Sequence, residues 1–254
     1  MQILEVRDIS RKFGGLQAVS GVSFGVREGM IKALIGPNGA GKTTLFNLIS
    51  GFLPPDTGTI LFHGRPVQGL RPYEIAAKGM VRTFQHIRLF PKMTTLENIM
   101  IGRHTHGKSG FLSSMLNLPW TRREDQKARQ KSIELMEFLG IEDLAAQEAA
   151  SLAYGKQRIV ELARALACEP RLLLLDEPAA GLNMSETSEM ADLITKVRDL
   201  GVTVLIVEHD MSLVMNISDE IIVLSYGQKI AEDVPLSIQK NKEVIRVYLG
   251  EEDA

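Results

Sequence analysis

The run Gly36-Pro37-Asn38-Gly39-Ala40-Gly41-Lys42-Thr43 fits the pattern G-x-x-x-x-G-K-[ST], and it stands directly after the apolar run Ile31–Ile35 and before a helical stretch from Thr44 to Ser50. A chain that leaves a strand and enters a helix through glycines can turn its backbone N–H groups inward on a phosphate, and the helix N-terminus adds positive potential there. Lys42 would reach the β- and γ-phosphates as a point charge, the Thr43 hydroxyl would hold Mg²⁺, and Thr44 would continue the cradle. The expected ligand is a nucleoside triphosphate, and the expected fold must supply a buried strand before the loop.

Three further runs meet that demand: Arg171–Asp176, Val202–Val207 and Ile221–Leu224 are continuously apolar, as strands buried on both faces of a parallel sheet are. Leu4–Ile9, Val19–Val26 and Thr59–Phe62 alternate instead, which suits a half-exposed antiparallel sheet. Between Met190 and Leu200 the apolar residues fall on one face of a crossover helix. From about His86 to Leu166 no comparable strand run occurs, and Arg122–Leu139 is helical in character with Ile133, Met136 and Leu139 on one side. The expected fold is α/β: a phosphate-loop core with a mostly parallel sheet, an antiparallel β subdomain and an inserted helical subdomain. Residues 1–254 read as one domain, with 1–85 and 168–254 forming the core and 86–167 the insert. The stretch from Gly102 to Thr121 resists a single assignment; a short apolar helix from Phe111 to Leu118 is one reading. The tail from Lys240 to Ala254 reads as a short docked helix.

Composition narrows the function classes. Lys and Arg number 29 against 31 Asp and Glu, a formal charge of −2, so no electrostatic footprint for nucleic acid stands out. Cys168 is the only cysteine, which excludes an internal disulfide and a cysteine-based zinc site. No apolar stretch approaches the roughly 20 residues that cross a bilayer, and the N-terminus lacks the order of a secretion signal. A cytoplasmic location is expected.

Leu172–Leu175 followed by Asp176-Glu177 delivers two carboxylates at the carboxyl end of a buried strand, where ligands sit in open α/β sheets. Asp176 would orient Mg²⁺ through its water shell, and Glu177 would polarise the water that attacks the γ-phosphate.

The glycine loop, Gln85, Leu152-Ala153-Tyr154-Gly155-Lys156-Gln157, Asp176-Glu177-Pro178 and His209 come in the order found in the ATP-binding subunits of ABC transporters, and the resemblance covers nearly the whole chain. It implies the ABC ATPase fold, with ATP and Mg²⁺ as ligands and two subunits that sandwich two ATP molecules head to tail. Phe13 resembles the aromatic that stacks on adenine, although a lone phenylalanine is also an ordinary core residue. Gln85 resembles the glutamine that completes the Mg²⁺ shell and senses the γ-phosphate. His209 resembles the histidine that contacts the γ-phosphate and the attacking water. Leu152, Ala153, Tyr154, Gly155 and Lys156 stand where the signature segment meets the partner's ATP, and Gly181, Leu182 and Asn183 where a loop crosses the dimer.

Three departures mark a subgroup. Ala153 stands where a serine hydroxyl is usual and Lys156 where a glutamine is, leaving the amides ahead of the expected helix Gln157–Ala167 to bind anion. Asn183 replaces the usual aspartate. With Arg11–Leu16, Arg82–Gln85 and the closing Val244–Gly250, this set resembles the ATP-binding subunit of importers of branched-chain or other hydrophobic amino acids. Closely similar subunits serve urea import and lipopolysaccharide export. The resemblance implies a second ATP-binding subunit, homo- or heteromeric, and transmembrane permease subunits that receive the segment Ile87–Ile101. A periplasmic binding protein is implied indirectly, and the chain would lie peripherally on the inner face of the cytoplasmic membrane. A soluble ABC ATPase acting on nucleic acid and a nucleotide-binding regulator that does not hydrolyse are the competing readings. The first lacks coiled coils or a second cassette here, and the second is opposed by the presence of both Glu177 and His209.

Overall fold

The continuous apolar runs assemble into a six-stranded sheet. The computed structural model describes residues 1–103 and 119–249, and within them the strand order is β10-β9-β3-β8-β7-β6. The strands are β3 (Ile31–Ile35), β6 (Met80–Arg82), β7 (Leu172–Asp176), β8 (Thr203–Val207), β9 (Glu220–Ser225) and β10 (Gln228–Asp233). All neighbours are parallel except β10, which returns antiparallel along β9. Every residue of β3, β7 and β8 is buried, because helices or a second sheet cover both faces. The sequence reading had no place for β6 and β10. The first is three residues long, and the second is a mostly exposed edge strand, so neither carries a long apolar run.

Alternate residues of the sheet feed two separate cores. Ile31, Ala33, Ile35, Leu173, Leu175, Val204 and Ile206 pack toward the helical side, while Leu34, Leu172, Leu174, Leu205 and Val207 pack toward the antiparallel sheet. That second sheet has the order β2-β1-β4-β5, with β1 at Gln2–Phe13, β2 at Leu16–Arg27, β4 at Thr57–Phe62 and β5 at Arg65–Pro66. Between it and the main sheet lie α1 (Lys42–Ile49) and α2 (Pro72–Ala77), whose Leu45, Phe46, Ile49 and Ile75 join the same core. One buried cation locks the two sheets: Lys32, 1% exposed, donates to the Gly25 carbonyl of β2 at 2.7 Å and pairs with Glu220 and Glu232 of β9 and β10. Burial alone would raise the Glu232 carboxyl, but its bonds to Lys229 and Lys32 win and hold it below its ordinary value. A buried charge without such partners would cost several kcal/mol.

Residues 86–167 contain α3 (Thr95–Arg103), α4 (Pro119–Leu139) and α5 (Tyr154–Ala167). Among the described side chains of α4, Ser132, Met136 and Leu139 are buried, and Ile133 lies half-buried at the margin of that face. α3 and α5 approach closely at Gly102, where an added Cβ would lie 2.2 Å from the Arg164 carbonyl. The described part of the chain closes with α6 (Met184–Asp199), α7 (Met211–Ile217), α8 (Pro235–Lys240) and α9 (Lys242–Leu249). α9 is docked through the buried Val244. The expected helix Phe111–Leu118, His104, His106 and the closing Gly250 lie outside the described residues. His63 is half-buried with its Nε2 enclosed and unpaired; the β4–β5 turn folds it onto Phe62.

Candidate active site

β3 ends at Ile35 and the chain turns at once through Gly36, whose φ is 152° and whose added Cβ would lie 2.2 Å from the Leu224 carbonyl. No other residue fits there. Gly41, at φ 99°, caps α1, and an added Cβ would lie 2.4 Å from the Ala18 carbonyl. The glycines are thus demanded by close backbone packing as well as by chain reversal. α1 begins at Lys42, two residues earlier than the apolar pattern alone suggested. The Lys42 ammonium is buried and donates to the carbonyls of Gly36 at 2.6 Å and Pro37 at 3.0 Å. Burial lowers its pKa, and the Glu177 carboxylate pulls it part of the way back. A phosphate would be a stronger partner than two neutral carbonyls.

In front of the loop opens a cleft of about 500 Å³ lined by Phe13, Asn38, Gly39, Ala40, Gly41, Lys42, Thr43, Thr44, Gln85 and Glu177. Phe13 ends β1, stays 43% exposed, and has the Arg11 guanidinium 5.2 Å from its ring centroid. It is therefore not a core residue. Leu16, Gln17, Ala18, Tyr226 and Gly227 also line the cleft, and the sequence reading assigned none of them. Their place comes from backbone pairing: Gly227 N–H donates to Ala40, and Ser20 N–H to Gly227, at 3.0 and 2.8 Å. The one available signal was the Tyr226-Gly227 turn after a buried run, where both residues have positive φ.

The Glu177 end of the cleft is built where β7 and β8 stop. Asp176 is 6% exposed, and its Oδ2 accepts from Arg82 at 2.8 Å. Arg82 also donates to Asn47 at 2.8 Å and Ser50 at 2.7 Å and lies 5.4 to 5.5 Å from the ring centroids of Phe46, Phe52 and Phe84. Glu177 adopts φ 48°, a conformation costing a non-glycine residue about 1–3 kcal/mol. Its N–H is held by the Val207 carbonyl at 2.9 Å. Its Oε2 accepts from Gln85 Nε2 at 2.8 Å, and His209 Nδ1 lies 3.8 Å away with an exposed ring.

Thr43, Gln85 and Asp176 supply hard oxygen donors only, which suits Mg²⁺. Among the described residues there is no cluster of three acidic, His or Cys side chains that could hold a metal ion.

Leu152, Ala153, Tyr154, Gly155, Lys156, Gly181, Leu182 and Asn183 do not line this cleft; Ala153, Tyr154, Gly181 and Asn183 are exposed on a second surface, with Lys156 and Leu182 half-buried beside them, whereas Leu152 and Gly155 are buried and Leu152 packs into the core. The helix expected from Gln157 starts at Tyr154, with Ala153 as N-cap and no side-chain cap. The amides of Tyr154, Gly155 and Lys156 therefore belong to its first turn, which lacks intrahelical partners. Lys156 pairs with Glu189 of α6 at 2.8 Å. Asn183 is the N-cap of α6: its side chain accepts from Glu186 N–H, and Glu186 accepts from Asn183 N–H, both at 3.0 Å. An amide caps as well as a carboxylate, so the departure at Asn183 keeps this structural role. The buried Arg158 joins the two surfaces. It donates to the carbonyls of Phe84 at 3.1 Å and Gln85 at 2.6 Å, and to the Tyr154 hydroxyl at 3.0 Å.

Comparison with known proteins shows the family and the fold. The family model described as "ABC transporter" matches residues 19–180, and that described as "Branched-chain amino acid ATP-binding cassette transporter" matches residues 228–254. The high-affinity branched-chain amino acid transport ATP-binding protein BraF of Pseudomonas aeruginosa is 46% identical over 250 residues, covering 98% of both chains. The corresponding protein LivG of Escherichia coli K12 is 45% identical with the same coverage. A crystal structure of the ADP conformation of an ATP-binding cassette of an ABC transporter superposes with a TM-score of 0.86 at 34% identity, covering 99% of this chain and 100% of that one.

Proposed function

The chain belongs to the ABC transporter family of ATP-binding cassettes, and from that premise we propose that it is the energy-coupling subunit of an importer of branched-chain or other hydrophobic amino acids. It binds and hydrolyses ATP. The observation that carries the reading is the meeting of Lys42, Gln85 and Glu177 in one cleft, with His209 3.8 Å from the Glu177 carboxylate.

In the proposed reaction the base stacks on Phe13 and the phosphates lie against the amides of Gly36–Thr44. Lys42 exchanges the Gly36 and Pro37 carbonyls for phosphate oxygens. Thr43, Gln85 and Asp176 would hold Mg²⁺, which would supply charge neutralisation to the phosphates. The Glu177 carboxylate accepts a proton from the attacking water as the bond to the γ-phosphorus forms. The bridging P–O bond breaks toward ADP, and His209 stabilises the transferring group. Tyr154, Gly155 and Lys156 of a second subunit close the site, and Gly181–Asn183 cross between the two. The core and the helical insert divide at about residues 85 and 168.

Phe90 is 49% exposed beside the Gln85 segment, and a cavity of about 220 Å³ opens between Phe84, Ile101, Gly102 and Arg164. This region is the proposed seat of a permease helix. Among the described residues no helix is long and apolar enough to cross a membrane, so the chain would sit on the inner face through that partner. Reconstitution with candidate permeases and a binding protein tests the reading. Turnover should rise with leucine-loaded binding protein and stay at its basal rate with urea. Stimulation by urea instead, or coupling to lipopolysaccharide release, would assign the chain to those related systems, and no stimulation by any membrane partner overturns the reading.

A further inference from the structure

We infer that Glu208 is a positioning residue that fixes His209 and the segment following Glu177 relative to each other, an inference that rests on the hydrolytic roles proposed above. Glu208 follows β8 directly and is fully buried, and the reaction as described makes no use of it. Its Oε1 accepts from Ala179 N–H at 2.9 Å, and its Oε2 accepts from His209 N–H at 2.9 Å and Asp210 N–H at 3.2 Å. A carboxylate away from water is tolerated only where donors satisfy it, and here all three donors are main-chain groups of the two catalytic loops. Ala179 stands two residues beyond Glu177, on the path to Gly181–Asn183. Asp210 caps α7 through Leu213 N–H at 3.1 Å. One side chain therefore ties the ends of two neighbouring strands.

The need for such a tie follows from exposure. The His209 side chain is 63% exposed, so packing does not place its ring and its backbone must. His209 Nδ1 stands 3.8 Å from Glu177 and 3.7 Å from Glu208. A glutamine at 208 offers one acceptor oxygen where two are needed and turns an N–H toward an N–H, releasing one of the loops.

The test is single-turnover and steady-state ATP hydrolysis by the full chain. Glu208→Gln should lower kcat by about 10- to 100-fold, as expected for lost hydrogen bonds to a charged group, with KM for ATP changed less than about twofold. Glu208→Asp, which keeps both oxygens, should lose less and guards against a variant that does not fold. In a His209→Ala background, Glu208→Gln should cost almost nothing more, because the ring it places is gone. A full additive loss in that background, a rise in KM in place of a fall in kcat, or wild-type turnover by Glu208→Gln overturns the inference. Wild-type turnover by Glu177→Gln overturns the hydrolytic reading itself, and this inference with it.

Discussion

Glu177 combines a left-handed backbone with a side chain engaged by Gln85, so an amide at this position keeps the shape and loses only the proton acceptor. Glu177→Gln should therefore bind ATP normally while kcat falls at least about 100-fold, measured by nucleotide binding and phosphate release. Lys42→Ala removes the one buried cation at the loop and should weaken ATP affinity about 10- to 100-fold; an unchanged dissociation constant would remove Lys42 from phosphate binding. At this scale the sequence was most informative where chemistry is local. Gly36–Thr43 and Asp176-Glu177 are contiguous, and their residue types state their work. Arg82 was visible only as part of a likeness, because its ties to Asp176 and Asn47 span 94 and 35 positions. Tyr226 escaped for the same reason.

Among the elements, the strands buried on both faces were legible as unbroken apolar runs, whereas β6 and β10 were not: one is short and the other meets water. The start of α5 was placed three residues late because Ala153 carries no capping side chain to announce it. Two contacts decide how firmly the elements hold the site. Arg82→Ala would leave Asp176 buried and unpaired and should destabilise the fold by about 3–5 kcal/mol, seen as a lower denaturation midpoint. Gly102→Ala drives a methyl into the Arg164 carbonyl and forces α3 from α5, costing about 1–3 kcal/mol. Thermal melts at equal protein concentration check both values, and an unchanged melting temperature for either variant would remove that contact from this account.

For the whole molecule, the separation of the cleft from the signature segment means that, on the proposed reading, one chain would hold two unlike halves of a site. ATP should therefore drive the Glu177→Gln variant from monomer to dimer while ADP does not, as light scattering would report; a nucleotide-independent monomer contradicts the head-to-tail arrangement. Partner identity was the least legible property of the sequence, since the segment Ile87–Ile101 marks where a permease would dock and carries no motif that says which one.

Arg158 gives this division of labour a further meaning. Because a single guanidinium grips the main chain at Phe84 and Gln85 and also the Tyr154 hydroxyl, the element proposed to feel a subunit's own fuel and the element proposed to face its neighbour share one joint. On the proposed reading, a cassette that takes up its nucleotide would by the same act set the face on which the opposite nucleotide is clamped, so that loading one pocket would prepare the other before the two molecules meet.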